Sequence, residues 1–143
     1  MHPEMSNLDW FEYIKTYGSK PGLKSIKILL SILEDPQKKF QSIHVTGTNG
    51  KGSTTSMLAS ILQAAGYRVG MFTSPHLSRV TESIKVNGEE IPECSAEALL
   101  GEIRNKISIM VSKGSRHPTH FEVLVALAFK HFAVQGVEIA AVE

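Results

Sequence analysis

The chain has 143 residues, 42% hydrophobic and 20% charged, with 15 basic against 14 acidic side chains and a net charge of +1. This is the composition of a globular domain able to bury roughly 68–70% of its unfolded surface, and the balanced charge argues against a nucleic-acid surface or an anionic-membrane anchor. One cysteine (Cys94), no apolar run near the ~20 residues of a membrane-spanning helix, and no signal-peptide order at Met1-His2-Pro3-Glu4 give the expectation of a soluble, cytoplasmic protein.

Ser6 or Asn7 is placed to cap a first helix through Trp10, Phe11 and Ile14, stopped by Gly18. Lys20-Pro21-Gly22 reads as a turn, and Leu23, Ile26, Leu29, Leu30 and Leu33 then recur at helical spacing until Asp35-Pro36. Phe40 to Val45 reads as a short buried strand, in which His44 is expected to pack; glycine-rich residues 47–52 follow, then a helix from about Ser53 to Ala65 with Gly66 as its stop. A second strand is expected from Arg68 to Thr73. Asn87-Gly88, between Ile84-Lys85-Val86 and Glu89-Glu90-Ile91, supplies the two positive φ angles of a type I′ hairpin. Ser95 is expected to cap a helix reaching Val111, Thr119 to open another reaching Gln135, and Ile139 to Val142 to form a third strand. The order is α/β, with a parallel sheet and flanking helices. The sequence stops at Glu143 on an apolar run with no turn after it, which reads as a truncation inside a domain.

The most informative stretch is His44-Val45-Thr46-Gly47-Thr48-Asn49-Gly50-Lys51-Gly52-Ser53-Thr54. A loop between a strand and a helix N-terminus aims several backbone N–H groups at one point. Glycines let that backbone approach phosphate oxygens, the helix dipole favours the anion, and Lys51 adds a mobile charge. The usual GxxxxGK[ST] pattern would need glycine at Val45 and a hydroxyl residue at Gly52; here the hydroxyls shift to Ser53 and Thr54.

Gly47-Thr48-Asn49-Gly50-Lys51 resembles the loop of the Mur ligase superfamily, and Gly52 after the lysine resembles its folate branch. Gly22-Leu23 with Ile26, Thr73-Ser74-Pro75-His76-Leu77, Thr81-Glu82 with Ile84, Asn87-Gly88 and Thr119-His120-Phe121-Glu122 resemble folylpolyglutamate synthase and its dihydrofolate synthase relatives in the same order. Ser83 and Lys24-Ser25 depart from that pattern, which usually carries arginine after glutamate at both places. The implied architecture is a P-loop-type, Mur ligase-like ATPase domain. Residues 1–143 would be its N-terminal part, with the rest of that domain and a C-terminal glutamate-binding domain lying outside the chain.

The resemblance implies an ATP site at Gly47, Thr48, Asn49, Gly50, Lys51, Gly52 and Ser53, with Lys51 catalytic, and Mg²⁺ held by Ser74 and Glu143. Read alone, Ser74 is a turn residue past a parallel strand and Glu143 a charged strand end, both at the edge where ligands collect in α/β sheets. His76 is left unassigned. Thr119-His120-Phe121-Glu122 is physically a capping box; the resemblance also implies that it borders the substrate. The remaining histidines, His2, His44, His117 and His131, show no metal-ligand spacing.

The reaction implied is ATP-dependent addition of L-glutamate to a folate or dihydropteroate carboxylate through an acyl phosphate. The partners are then small molecules, with a monomeric full-length enzyme and an inactive isolated chain. The alternatives are a peptidoglycan-type Mur ligase, disfavoured by Gly52 and Thr-Ser-Pro-His-Leu, and a non-catalytic nucleotide-binding module, for which no Asn-Lys-x-Asp motif is present.

Overall fold

The computed structural model describes residues 5–19, 22–47, 49–74 and 78–143. The Lys20-Pro21 part of the expected turn, Thr48, and Pro75-His76-Leu77 lie outside the described residues. The chain divides into two compact units, Met1–Asp35 with Glu93–Lys130, and Pro36–Pro92 with His131–Glu143.

The first unit is helical. Helix α1 (Asn7–Tyr13) starts where Ser6 accepts the Asp9 N–H at 3.1 Å, and it tightens into a 3₁₀ turn before Gly18, whose φ of 72° ends it. Helix α2 (Lys24–Ile32) stops where Glu34 and Asp35 take positive φ ahead of Pro36. Helix α4 (Glu93–Ser112) begins two residues before the expected Ser95 cap, directly after Pro92, so Ser95 lies in its first turn. Helix α5 (His120–Val134) belongs to this unit as far as Lys130. Phe11, Ile14, Leu29, Leu33, Leu100, Ile103, Met110 and Leu127 are almost wholly buried and form its core. At about 25 cal/mol per Å² of apolar surface, that burial is the main stabilising contribution.

The second unit holds the sheet. Strands β1 (Gln41–His44), β2 (Val69–Phe72), β3 (Ile84–Val86), β4 (Glu89–Glu90) and β5 (Ile139–Val142) lie in the order β1-β5-β2-β3-β4. The first three in that order are parallel; the hairpin β3–β4 joins antiparallel, with Asn87 and Gly88 at φ 49° and 82° as a type I′ turn requires. The expected parallel sheet is thus a mixed one. Helix α3 (Lys51–Ala64) begins at Lys51, two residues earlier than expected.

One expectation is corrected. β1 is exposed along its whole length, His44 included, because it is the terminal strand of the sheet and pairs only with β5 in that order. Three of its four residues, Gln41, Ser42 and His44, are polar, which agrees with an edge position.

Candidate functional site

The loop after β1 is shaped by two glycines. Gly47 has φ 142° and Gly50 has φ 73°, both in the region that L side chains rarely adopt. Gly50 is the N-cap of α3 and carries no side-chain cap. The first backbone bond of the helix is Thr54 N–H to the Gly50 carbonyl at 2.9 Å, which leaves the N–H groups of Lys51, Gly52 and Ser53 free of intrahelical partners. Asn49, Gly50, Gly52 and Ser53 are exposed around them. An uncapped helix of 14 residues presenting three N–H groups beside a lysine has the geometry and charge that suit an anion.

Lys51 is half-buried; its Cγ would lie 3.9 Å from a Cβ placed on Gly47, so its stem runs over that glycine. Thr55, missed in the sequence, is fully buried and its hydroxyl donates to the Lys51 carbonyl at 2.7 Å. This ties down the turn that carries the lysine. The run Ser53-Thr54-Thr55 was the available signal.

Glu143 meets the same helix. Its N–H donates to the Phe72 carbonyl at 2.9 Å, and the Val45 N–H donates to the Val142 carbonyl at 2.7 Å, so the residue continues β5 between the ends of β1 and β2. Its Oε2 lies 3.7 Å from the position a Cβ on Gly52 would take. The carboxylate therefore stands at the mouth of the loop. Ser74 is two residues past β2, at the edge where the parallel strands β1, β5 and β2 end; it is half-buried. Its approach is anchored by Thr73 N–H donating to the Ser83 carbonyl at 3.0 Å. Beyond residues 75–77, Glu82 receives the Ser78 N–H at 3.1 Å, the Ser78 hydroxyl at 2.7 Å and the Arg79 N–H at 2.7 Å. The Ser78 hydroxyl is the main reason that the Glu82 carboxyl is held below its ordinary range.

A carboxylate beside such a helix end would repel any phosphate that the helix attracts. A divalent cation between the two removes the conflict. A carboxylate and a hydroxyl are hard oxygen donors, and Mg²⁺ takes few protein ligands with phosphate oxygens and water completing its shell. Glu143 and Ser74 fit that ion in donor type.

In the helical unit, Thr119 and Glu122 form the expected capping box: the Thr119 N–H donates to Glu122 Oε1 at 2.9 Å and the Glu122 N–H to Thr119 Oγ1 at 3.2 Å. His120 stacks on Phe11 with ring centroids 4.0 Å apart, whereas Phe121 is 52% exposed. Leu23, in the same unit, is 64% exposed.

The chain matches no family model. It is 41% identical over 124 residues to the dihydrofolate synthase/folylpolyglutamate synthase of Bacillus subtilis, covering 87% of this chain and 29% of that protein. Folylpolyglutamate synthase of Thermotoga maritima superposes with a TM-score of 0.87 at 39% identity, over 96% of this chain and 32% of that one. Over most of its length the chain is thus similar to a part of folylpolyglutamate synthase and dihydrofolate synthase proteins. The Mycobacterium tuberculosis folylpolyglutamate synthase complexed with ADP is also similar, with a TM-score of 0.86 at 34% identity over 96% of this chain and 32% of that one. The chain therefore spans about a third of the length of its folylpolyglutamate synthase relatives.

Proposed function

We propose that the chain binds ATP at Gly47–Ser53, and that in a protein of its relatives' length it supplies the phosphoryl-transfer half of a ligase. That ligase joins L-glutamate to a folate or dihydropteroate carboxylate. The observation that carries the reading is the convergence of Lys51, the uncapped N-terminus of α3 and the Glu143 carboxylate at one sheet edge. The family supports the acceptor class, and the relative complexed with ADP supports the nucleotide.

A carboxylate resists amines because its carbon is electron-rich and oxide is a poor leaving group. In the proposed reaction the acceptor carboxylate attacks the γ-phosphorus of ATP, the bond to ADP breaks, and an acyl phosphate forms. The amine of glutamate then displaces phosphate, giving the amide, ADP, Pi and a proton. The N–H groups of Lys51, Gly52 and Ser53 hold the phosphate chain in line, and the Lys51 ammonium offsets the charge spreading over the transferring group. Glu143 and Ser74 would hold Mg²⁺, which when bound neutralises phosphate charge. Thr119, His120, Phe121 and Glu122, at the start of α5, border the pterin ring, with the capping pair Thr119 and Glu122 fixing that helix start. No side chain acts as a covalent nucleophile.

The test is ADP release from this chain fused to the remainder of the Bacillus subtilis relative. Tetrahydrofolate, dihydropteroate or a peptidoglycan precursor would be supplied, each with and without its amino-acid partner. Release only when a folate-type carboxylate and glutamate are both present is expected. Equal release with no acceptor would defeat the ligase reading in favour of a nucleotide-binding module.

A further inference from the structure

The parallel ladder between β1 and β5 uses only half of the backbone groups of β1. The N–H groups of Gln41 and Val45 donate to the carbonyls of Glu138 and Val142, and Ile43, in register with Ala141, is in phase with them. Ser42 and His44 alternate with these residues, so their N–H and C=O groups point to the outer side of the sheet. Among the described residues no strand lies on that side, and β1 is exposed along its length. Sheet edges are commonly protected by lysine, proline or a bulge. Gln41-Ser42-Ile43-His44 has no charged side chain of the Lys, Arg, Asp or Glu type and no proline, and its register against β5 runs without a break. Lys38 and Lys39 lie before the strand, in the 3₁₀ turn Pro36–Lys39.

Apolar side chains flank this edge on one face. Registered partners share a face of the sheet, so Ile43 lies with Ala141 and Met71. Met71 lines a groove with Ser56, Ala59 and Gln63 of α3 and with Lys85 of β3. This is therefore the face that α3 covers, and those three helix residues mark its β3 side. Met57 and Ile61, one turn apart, fall on the flank of α3 turned away from β3. They are 61% and 67% exposed, and Ile43 is 37% exposed.

We propose that the β1 edge is the contact surface for a second copy of this chain, in a twofold antiparallel pair centred on Ile43. A twofold partner presents the same strand reversed. With the axis at Ile43, Ser42 of each copy faces His44 of the other, and each such pair exchanges both N–H···O=C bonds. That register uses every outward group of the strand; an axis at Ser42 or His44 uses only one residue of each copy within it. Ile43 then meets Ile43 as the closer, non-hydrogen-bonded kind of pair, with Cα atoms about 4.5 Å apart. Each exposed isoleucine covers the other. No like charges are opposed, since Gln41 falls opposite Val45, and a net charge of +1 per chain gives little long-range repulsion. One four-residue strand makes a small interface, so the dimer is weak and depends on concentration.

The test is sedimentation of the 143-residue chain over a rising concentration series, with amide exchange followed by NMR in the same samples. The mass is expected to rise from one chain towards two and no further, and the Ser42 and His44 amides to exchange more slowly as it does. Ile43→Lys places two ammonium groups face to face and Ile43→Glu two carboxylates, so each should weaken association about tenfold or more. Mixing the two variants should restore it, because position 43 faces itself only in the proposed register. Ser42→Pro removes an outward donor while keeping every bond to β5, and it should also abolish pairing; it serves if the position 43 variants do not fold. A chain that stays monomeric, a mass beyond two, an Ile43→Lys or Ser42→Pro dimer as tight as wild type, or no rescue on mixing folded variants would each overturn the proposal. Protection of Ser42 and His44 at every concentration in a monomer would overturn it too, and would assign the edge to a segment of the same chain.

Discussion

At Glu143 a carboxylate and the positive end of a helix share one small space, and the sign of that interaction is testable. If Glu143 shares a cation with nucleotide phosphates, as proposed, the carboxylate repels them without a metal ion and helps to hold them with Mg²⁺. Glu143→Gln is therefore predicted to bind metal-free ATP more tightly than wild type and Mg²⁺-ATP more weakly, each by several-fold in a fluorescence titration. A variant weaker under both conditions would mean that Glu143 shapes the loop instead of sharing a cation with the phosphates. Two glycines show that close approach matters in one place and not in another. A Cβ on Gly70 would fall 2.8 Å from two carbons of the fully buried Phe132 ring, whereas one on Gly52 meets only Glu143 Oε2 at ordinary contact distance, 3.7 Å. Gly70→Ala should cost about 1–3 kcal/mol of stability, as overpacking does, and Gly52→Ala much less. Urea denaturation of both variants checks the difference, and equal losses would contradict the packing described.

Helix α5 carries a further consequence through His131, which is 4% exposed. Burial first, and the Arg68 charge second, push its pKa below the ordinary 6.5. His117 is also lowered by burial, partly opposed by the Pro118 carbonyl. Both imidazoles take up a proton more readily in the unfolded chain. Stability should therefore be level above pH 6.5 and fall as the pH drops from there towards the folded-state values. Equilibrium unfolding between pH 8 and 5 should show the decline, and His131→Gln should make it shallower. An unchanged slope would remove His131 as its source. Element by element, the features that sequence revealed are local ones. The Thr119–Glu122 box, the positive φ angles at Asn87-Gly88 and the stop at Gly66 each depend on neighbours within a few residues. Where the outcome depended on distant partners, sequence misled. The apolar residues of Phe40–Val45 suggested burial, yet only the strand order reveals that β1 lies at an edge. Helices α3 and α4 both start earlier than the hydroxyl residues expected to begin them. Gly50 in a left-handed conformation opens α3 without a side-chain cap, and α4 starts directly after Pro92.

Across the whole molecule, the candidate nucleotide residues lie in the sheet-bearing unit, and Thr119–Glu122 lie in the helical one. The glycine-shaped turn between β1 and α3 was legible because its glycines stand between a strand pattern and a helix pattern. The meeting of Glu143 with Gly52 follows from strand register, in which Val142 pairs with both His44 and Phe72. No described helix is long and apolar enough to cross a membrane. The proposed function depends on ATP binding through Lys51 and the start of α3, and calorimetric titration of the 143-residue chain with Mg²⁺-ATP, wild type against Lys51→Ala, tests that binding. Saturable one-site binding by wild type is expected, with at least a tenfold loss, about 1.4 kcal/mol or more, in a variant whose thermal unfolding is unchanged. Affinity for Mg²⁺-ATP that is the same in both proteins would contradict it.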